Sequence, residues 1–202
     1  MRVLTIDTAT TASCVGLVRA GAVVAEAVRI APAAAQHVLA AVERVLTDGG
    51  ATLHDIDRVA VGRGPGSFTG LRIGLATAVG LCAPGPIELV GVGTAAALAA
   101  GSSGACAVID ARRGEVFAEG PGIALGAYRP EALAALLPDG ALLLGDGAVA
   151  HRAAFPGCLV PPDDDPRHAP SALALARLAD HAAPATPLYL RPPDAVPVEA
   201  RG

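Results

Sequence analysis

Lysine is absent from this 202-residue chain, and all 15 basic residues are arginine. Without lysine there is no Gly-Lys-Ser/Thr element to reach nucleotide phosphates, which excludes a Walker-type loop. Tryptophan is absent, methionine occurs once and aromatics make up 2% of residues, so the core must be built from Ala, Val, Leu and Ile. Mean hydropathy is +0.51, yet Gly, Pro or Arg interrupts every stretch approaching the roughly 18 uncharged residues of a membrane span. Strand-like sequence containing Asp7 follows Met1–Arg2 at once, so no leader is evident and a cytoplasmic location is expected.

Other absences narrow the chemistry. Cys14, Cys82, Cys106 and Cys158 show no C-x-x-C spacing and lie in or beside apolar segments, which predicts buried thiols rather than disulfides or a metal site. His37, His54, His151, His168 and His181 form neither H-x-x-x-H nor H-E-x-x-H, so the zinc-hydrolase signal is missing. A net charge of −4 argues against a general nucleic-acid binder, which would carry a basic stripe.

What is present centres on Val59–Ala83. An apolar strand at Val59–Val61 feeds the turn Gly62–Arg63–Gly64–Pro65–Gly66, and Ser67 follows as an N-cap. The pattern is helical from Phe68 to Cys82, and Ala83–Pro84–Gly85–Pro86 ends it. A strand, a glycine turn and a helix N-terminus together form a ready anion site. Gly70, Gly74 and Gly80 inside the helix each cost roughly 0.5–1 kcal/mol relative to alanine, so another backbone must approach closely. Two approaches remain open: this protein's own sheet, or a helix of another chain.

Along the chain, strands at Val3–Ile6, Cys14–Val18 and Val23–Val28 with short turns predict an antiparallel meander. A helix runs from Pro32 to about Thr47, with Val38, Val42, Val45 and Leu46 on one face. After the glycine block come a strand at Leu89–Val92 and a short helix from Thr94 to about Ala100. Gly101–Ser102–Ser103–Gly104 is the best boundary, dividing a unit of residues 1–101 from one of residues 105–202. The opening theme then recurs: a strand at Ala105–Ile109 ends on Asp110, and Glu115–Ala118 follows a turn. A strand near Ile123–Tyr128, a helix at about Glu131–Leu137, a strand at Leu142–Leu144 and a helix from Ser171 to about Ala182 complete the second half. The tail after Tyr189 reads as extended or partly disordered.

Asp7 and Asp110 end buried strands, where a carboxylate can hold Mg²⁺ or orient water; the alternative is an Asp accepting local backbone N–H bonds. A stand-alone ATPase or phosphotransferase is the rival functional class, incomplete without a phosphate-binding lysine.

These stretches are similar to the TsaB family, also called YeaZ, of bacterial tRNA threonylcarbamoyladenosine biosynthesis proteins. The likeness lies in LTIDTATTASCVGLV, QHVLAAVERVL, VAVGRGPGSFTGLRIGLATAVGL and VIDARRGEVF, and more weakly in GDGA at Gly145–Ala148 and PLYLR at Pro187–Arg191. The resemblance implies an α/β protein of the actin-like ATPase fold shared with sugar kinases and heat-shock chaperones, with two related subdomains, the second degenerate. It further implies a non-catalytic subunit that activates the paralogue TsaD, which threonylcarbamoylates adenosine 37 of tRNAs reading ANN codons. TsaD carries two metal-binding histidines after its own glycine block; Thr94 and Leu98 stand there in this chain, so no metal site is expected.

In the family, two helices of the first subdomain pack against the partner's equivalent pair. Carried onto this sequence, the interface falls on His37, Leu39, Val42, Leu46, Gly70, Leu71, Gly74, Leu75 and Ala78. Gly74→Leu is then expected to abolish pairing while leaving the monomer folded. The resemblance also implies the ATPase TsaE in a larger complex, tRNA reached through that complex, and a homodimer in the partner's absence. No cofactor is required by the subunit itself; an adenine nucleotide in the complex would lie near Asp7, Gly64, Gly66 and Ser67.

Overall fold

The computed structural model describes residues 1–31, 33–181 and 183–191. Strands β1 (Arg2–Asp7), β2 (Ala12–Arg19) and β3 (Ala22–Ile30) form the antiparallel meander. Helix α1 (Val38–Asp48), strand β4 (Arg58–Gly62), helix α2 (Phe68–Cys82) and strand β5 (Glu88–Val92) complete the first lobe. Its sheet runs β3-β2-β1-β4-β5, with β4 parallel to both β1 and β5.

Alternation along these strands builds two apolar layers. Leu4 and Ile6 of β1, Val15 and Leu17 of β2, and Val59 and Val61 of β4 join Val42, Val45, Leu71 and Leu75 of the helices on one face. Val3, Cys14, Val18 and Ala60 point to the other face. Each fully buried Val, Leu or Ile contributes about 1.5–3 kcal/mol; β1, β2 and β4 are buried on both faces, whereas β3 is largely exposed.

Helix α3 (Thr94–Ala100) leads to the second lobe. There β6 (Cys106–Arg112), β7 (Glu115–Gly120) and β8 (Ile123–Tyr128) repeat the meander, and β9 (Leu143–Leu144) joins β6 in the order β8-β7-β6-β9. Helices α4 (Pro130–Ala134) and α5 (Asp146–Ala150) are short, and α6 (Ala172–Leu178) closes the helical part.

The boundary at residues 101–104 separates the sheets but not the layers. Ala172, Leu175, Ala176 and Ala179 cover the outer face of the first lobe's sheet. In exchange, Ala95 and Leu98 of α3 pack with Ala107, Ile109 and Leu144 of the second sheet. The units expected at residues 1–101 and 105–202 therefore trade a helix each.

Other departures are local. The first turn expected in the Pro32–Thr47 helix is a 3-10 turn over Ala34–His37, and Pro32 lies outside the described residues. The helix expected at Glu131–Leu137 starts at Pro130, as a first-turn proline allows, and stops at Ala134. Of the tail expected to be loose after Tyr189, Leu190 and Arg191 are half-buried, through contacts described below; residues 192–202 lie outside the described residues. No helix among the described residues is long and apolar enough to cross a membrane.

Candidate functional site

The glycine block folds onto the turn between β1 and β2. Ser67 donates its backbone N–H to Ala9 O at 2.6 Å, and its hydroxyl caps α2 by accepting from Gly70 N at 3.4 Å. A Cβ at Gly70 would overlap the Thr8 carbonyl oxygen, and one at Gly74 would overlap the Thr8 hydroxyl. That hydroxyl donates to Gly70 O at 2.8 Å. The close backbone approach predicted by the glycines exists, and the approaching backbone belongs to this chain.

This corrects most of the expected partner face. Val42, Leu71, Leu75 and Ala78 are core residues of the first lobe, and Gly70 and Gly74 are buried beneath Thr8. Gly74→Leu would strike the monomer's own core, not spare it. Leu46 is half-buried, whereas His37 and Leu39 are exposed. The error has a simple cause: both sides of α2 carry small and apolar residues, and only Thr69 and Arg72 mark the outward one. The outward side carries Phe68 at 45% and Val79 at 52% exposure, with exposed Thr69, Arg72, Ala76 and Gly80. A Cβ at Gly80 would meet nothing.

Asp7 is fully buried. Its Oδ1 accepts from Ala9 N at 2.9 Å and its Oδ2 from the Thr94 hydroxyl at 2.9 Å; the Thr94 oxygen in turn accepts from Gly64 N at 3.1 Å. Burial raises the carboxyl to about 6, against the lowering by these hydrogen bonds. Gly62 makes the room, since a Cβ there would overlap the carboxylate. Asp7 thus pins the β1 turn, the glycine turn and α3 together, and both it and Gly64 are withdrawn from solvent.

Asp110, the corresponding residue of the second lobe, is partly open, with a side chain 16% exposed and paired to Arg112 at 3.0 Å. Between the lobes lies Asp146, which sequence reasoning did not single out. Its Oδ2 accepts from Thr11 N at 2.9 Å and its Oδ1 from Asp110 N at 3.0 Å, one amide from each lobe. Buried His168 holds the preceding residue: its Nδ1 accepts from Gly145 N at 3.0 Å, and Nε2 lies 3.3 Å from Pro161 O. Those partners select the Nε2–H tautomer.

A cleft of about 460 Å³ opens between the lobes. Gly66, Ser67 and Phe68 line it from the first lobe, Asp110, Arg112 and Phe117 from the second, and Leu188–Arg191 across it. Of the expected nucleotide-proximal residues, Gly66 and Ser67 reach this space; Asp7 and Gly64 do not line it. Arg112 and Arg191 are each paired with a carboxylate of the β6–β7 hairpin, Asp110 and Glu115. Cys14 and Cys106 are buried as expected, and burial pushes the Cys106 thiol to about 11 and raises Cys14 strongly; Cys82 and Cys158 are only half-buried, with burial raising each. Among the described residues no group of three or more His, Cys, Asp or Glu side chains converges as a metal site. The missed residues Asp146, Tyr189 and Arg191 fall in the GDGA and PLYLR stretches, the signal that would have found them.

Comparison with known proteins bears on the whole arrangement. The family profile of TsaD, tRNA N6-adenosine threonylcarbamoyltransferase, matches residues 24–124. The Escherichia coli tRNA threonylcarbamoyladenosine biosynthesis protein TsaB is 44% identical over 123 residues, 58% of this chain and 53% of that protein. The match thus spans about half the length of the E. coli relative. An uncharacterized Mycobacterium tuberculosis protein is 39% identical over 202 residues, covering 97% of this chain and 94% of its own. Among solved structures, YeaZ from Pseudomonas aeruginosa superposes with a TM-score of 0.75 at 26% identity, over 94% of this chain and 99% of that one. With its meander-led lobes and glycine block, the chain has the actin-like ATPase fold and belongs to the TsaB family, also called YeaZ.

Proposed function

We propose that this chain is a non-catalytic assembly subunit of tRNA threonylcarbamoyladenosine biosynthesis, docking the outward face of α1 and α2 onto a TsaD-type catalytic partner. The observation that carries the reading is the exposed apolar side of α2. Phe68 and Val79 on α2, with Leu39 on α1, are large hydrophobic residues left in solvent, and Arg72 is the one charged residue of α2. Such a surface on adjacent helices marks a partner site, and Gly80 leaves room for close approach.

Two further features support an accessory role. Thr94 and Leu98, at the positions where the paralogue's metal-binding histidines would fall, are committed to the core. The Thr94 hydroxyl serves Asp7 and Gly64, and Leu98 is buried between α3 and the second sheet. In addition, Asp146 bridges the β1–β2 turn and strand β6, so a carboxylate of the chain already occupies one backbone amide of each lobe. In the complex, TsaE and an adenine nucleotide join, and tRNA is reached through the partner. Without a partner the same face closes on a second copy.

The test is tRNA threonylcarbamoylation by the catalytic paralogue with and without this chain. Modification should require the chain and fail with Val79→Asp, and the isolated chain should neither modify tRNA nor hydrolyse ATP. Modification indifferent to Val79→Asp would refute the docking face. Nucleotide turnover by the lone chain would favour the phosphotransferase class instead.

A further inference from the structure

Residues 183–191 leave the first lobe and end on the second. Gly91 and Ala183 exchange backbone hydrogen bonds of 2.8 and 3.0 Å, which adds the segment to the edge of the first sheet beside β5. Leu188 then donates its N–H to Arg63 O, in the glycine turn, at 2.7 Å. Beyond it the chain crosses. Leu190 packs against the second lobe's apolar cluster, and Arg191 donates to Ala111 O at 3.4 Å and to Glu115. Its guanidinium carbon lies 5.9 Å from the Phe117 ring centroid. At the midpoint Tyr189 stacks on Phe68, centroids 5.7 Å apart, and its hydroxyl accepts from Arg72 Nε at 3.4 Å.

We propose that this segment is an interlobe strap that sets the width of the cleft and couples the outward end of α2 to the β6–β7 hairpin. The strap forms one wall of the cleft, so its departure would open that space directly. Phe68 and Arg72 are the link. The Arg72 guanidinium lies 3.8 Å from the Phe68 centroid, and Tyr189 touches both residues. Anything seated on α2 that moves Phe68 or Arg72 removes the strap's midpoint anchor, leaving Leu188 at the glycine turn and Leu190 and Arg191 on the second lobe as its remaining contacts. Coupling of this kind is reciprocal, so releasing the strap changes the affinity of α2 for what docks there. That last consequence rests on the docking face proposed above; the strap itself does not.

Hydrogen exchange followed by mass spectrometry on the full chain, without any partner, tests the strap separately from docking. In a Tyr189→Ala/Arg191→Ala double variant, exchange across residues 110–116 should rise about tenfold while β1 and β4 keep wild-type protection. Tyr189→Phe keeps the ring and should behave as wild type. Unchanged exchange in the hairpin would overturn the proposal. So would an equal rise in β1 and β4, because the two side chains would then serve global stability rather than the join between lobes.

Discussion

The two sides of α2 share small and apolar residues and are opposite in use. Inward lie Gly70, Leu71, Gly74, Leu75 and Ala78, closed over by Thr8 and the first sheet. Outward lie Phe68, Thr69, Arg72, Ala76, Val79 and Gly80, facing solvent. The inward glycines are needed because the chain's own turn passes over them; the outward glycine has empty space beside it. Smallness is therefore a folding requirement on one side and a free surface on the other.

The largest effect on stability should come from the inward side. Gly70→Leu places a side chain into the Thr8 carbonyl, a backbone atom that cannot rotate away, and Gly74→Leu into the Thr8 hydroxyl. Each should cost about 4 kcal/mol or more, read as loss of the cooperative denaturant transition or failure to fold. A stable Gly70→Leu monomer would break the comparison.

Next comes pH. Asp7 holds its proton more tightly folded than unfolded, because its carboxyl is raised from 3.8 to about 6. Its contribution to stability is therefore full below the unfolded value and is lost as pH rises through the folded one. Lowering the pH from about 7.5 to about 4.5 should gain about 2 kcal/mol from this group. Denaturation midpoints of the wild type and Asp7→Asn at both pH values isolate the term, since the variant lacks it.

On the outward side, Val79→Asp should change the isolated chain's stability by no more than about 0.5 kcal/mol, measured by thermal or denaturant unfolding. Smallest of all, Arg44→Ala removes the exposed ion pair with Asp48 across one turn of α1, worth about 0.3–0.5 kcal/mol. These two set the baseline of the exposed helix surface against which the inward substitutions stand out.

Local signals carried much of the fold. The Ser67 cap and the Pro84–Gly85–Pro86 stop delimit α2 at Phe68–Cys82, as the structure has it, and alternation placed both meanders. Long-range packing was not legible. Nothing near Ala172 says that α6 returns to the first sheet, or that α3 crosses to the second. Asp7 shows the limit of a site reading: the alternative of an Asp accepting a local backbone N–H is met by Ala9 N, yet an acid ending a buried strand looks the same in sequence whether it faces a cleft or a neighbouring hydroxyl. Only the proximity of Thr94, far away in the chain, decides it. Leu190 and Arg191 open the stretch read as a loose tail, yet they are held on the second lobe across the molecule.

The most direct measurement is light scattering after size exclusion of this chain mixed with its TsaD-type paralogue, wild type against Val79→Asp. The wild type should elute with the partner at their summed mass, and Val79→Asp should leave both proteins separate while its own unfolding curve is unchanged. Equal complex formation by the variant, or no complex with the wild type, would contradict docking through the outward face of α2.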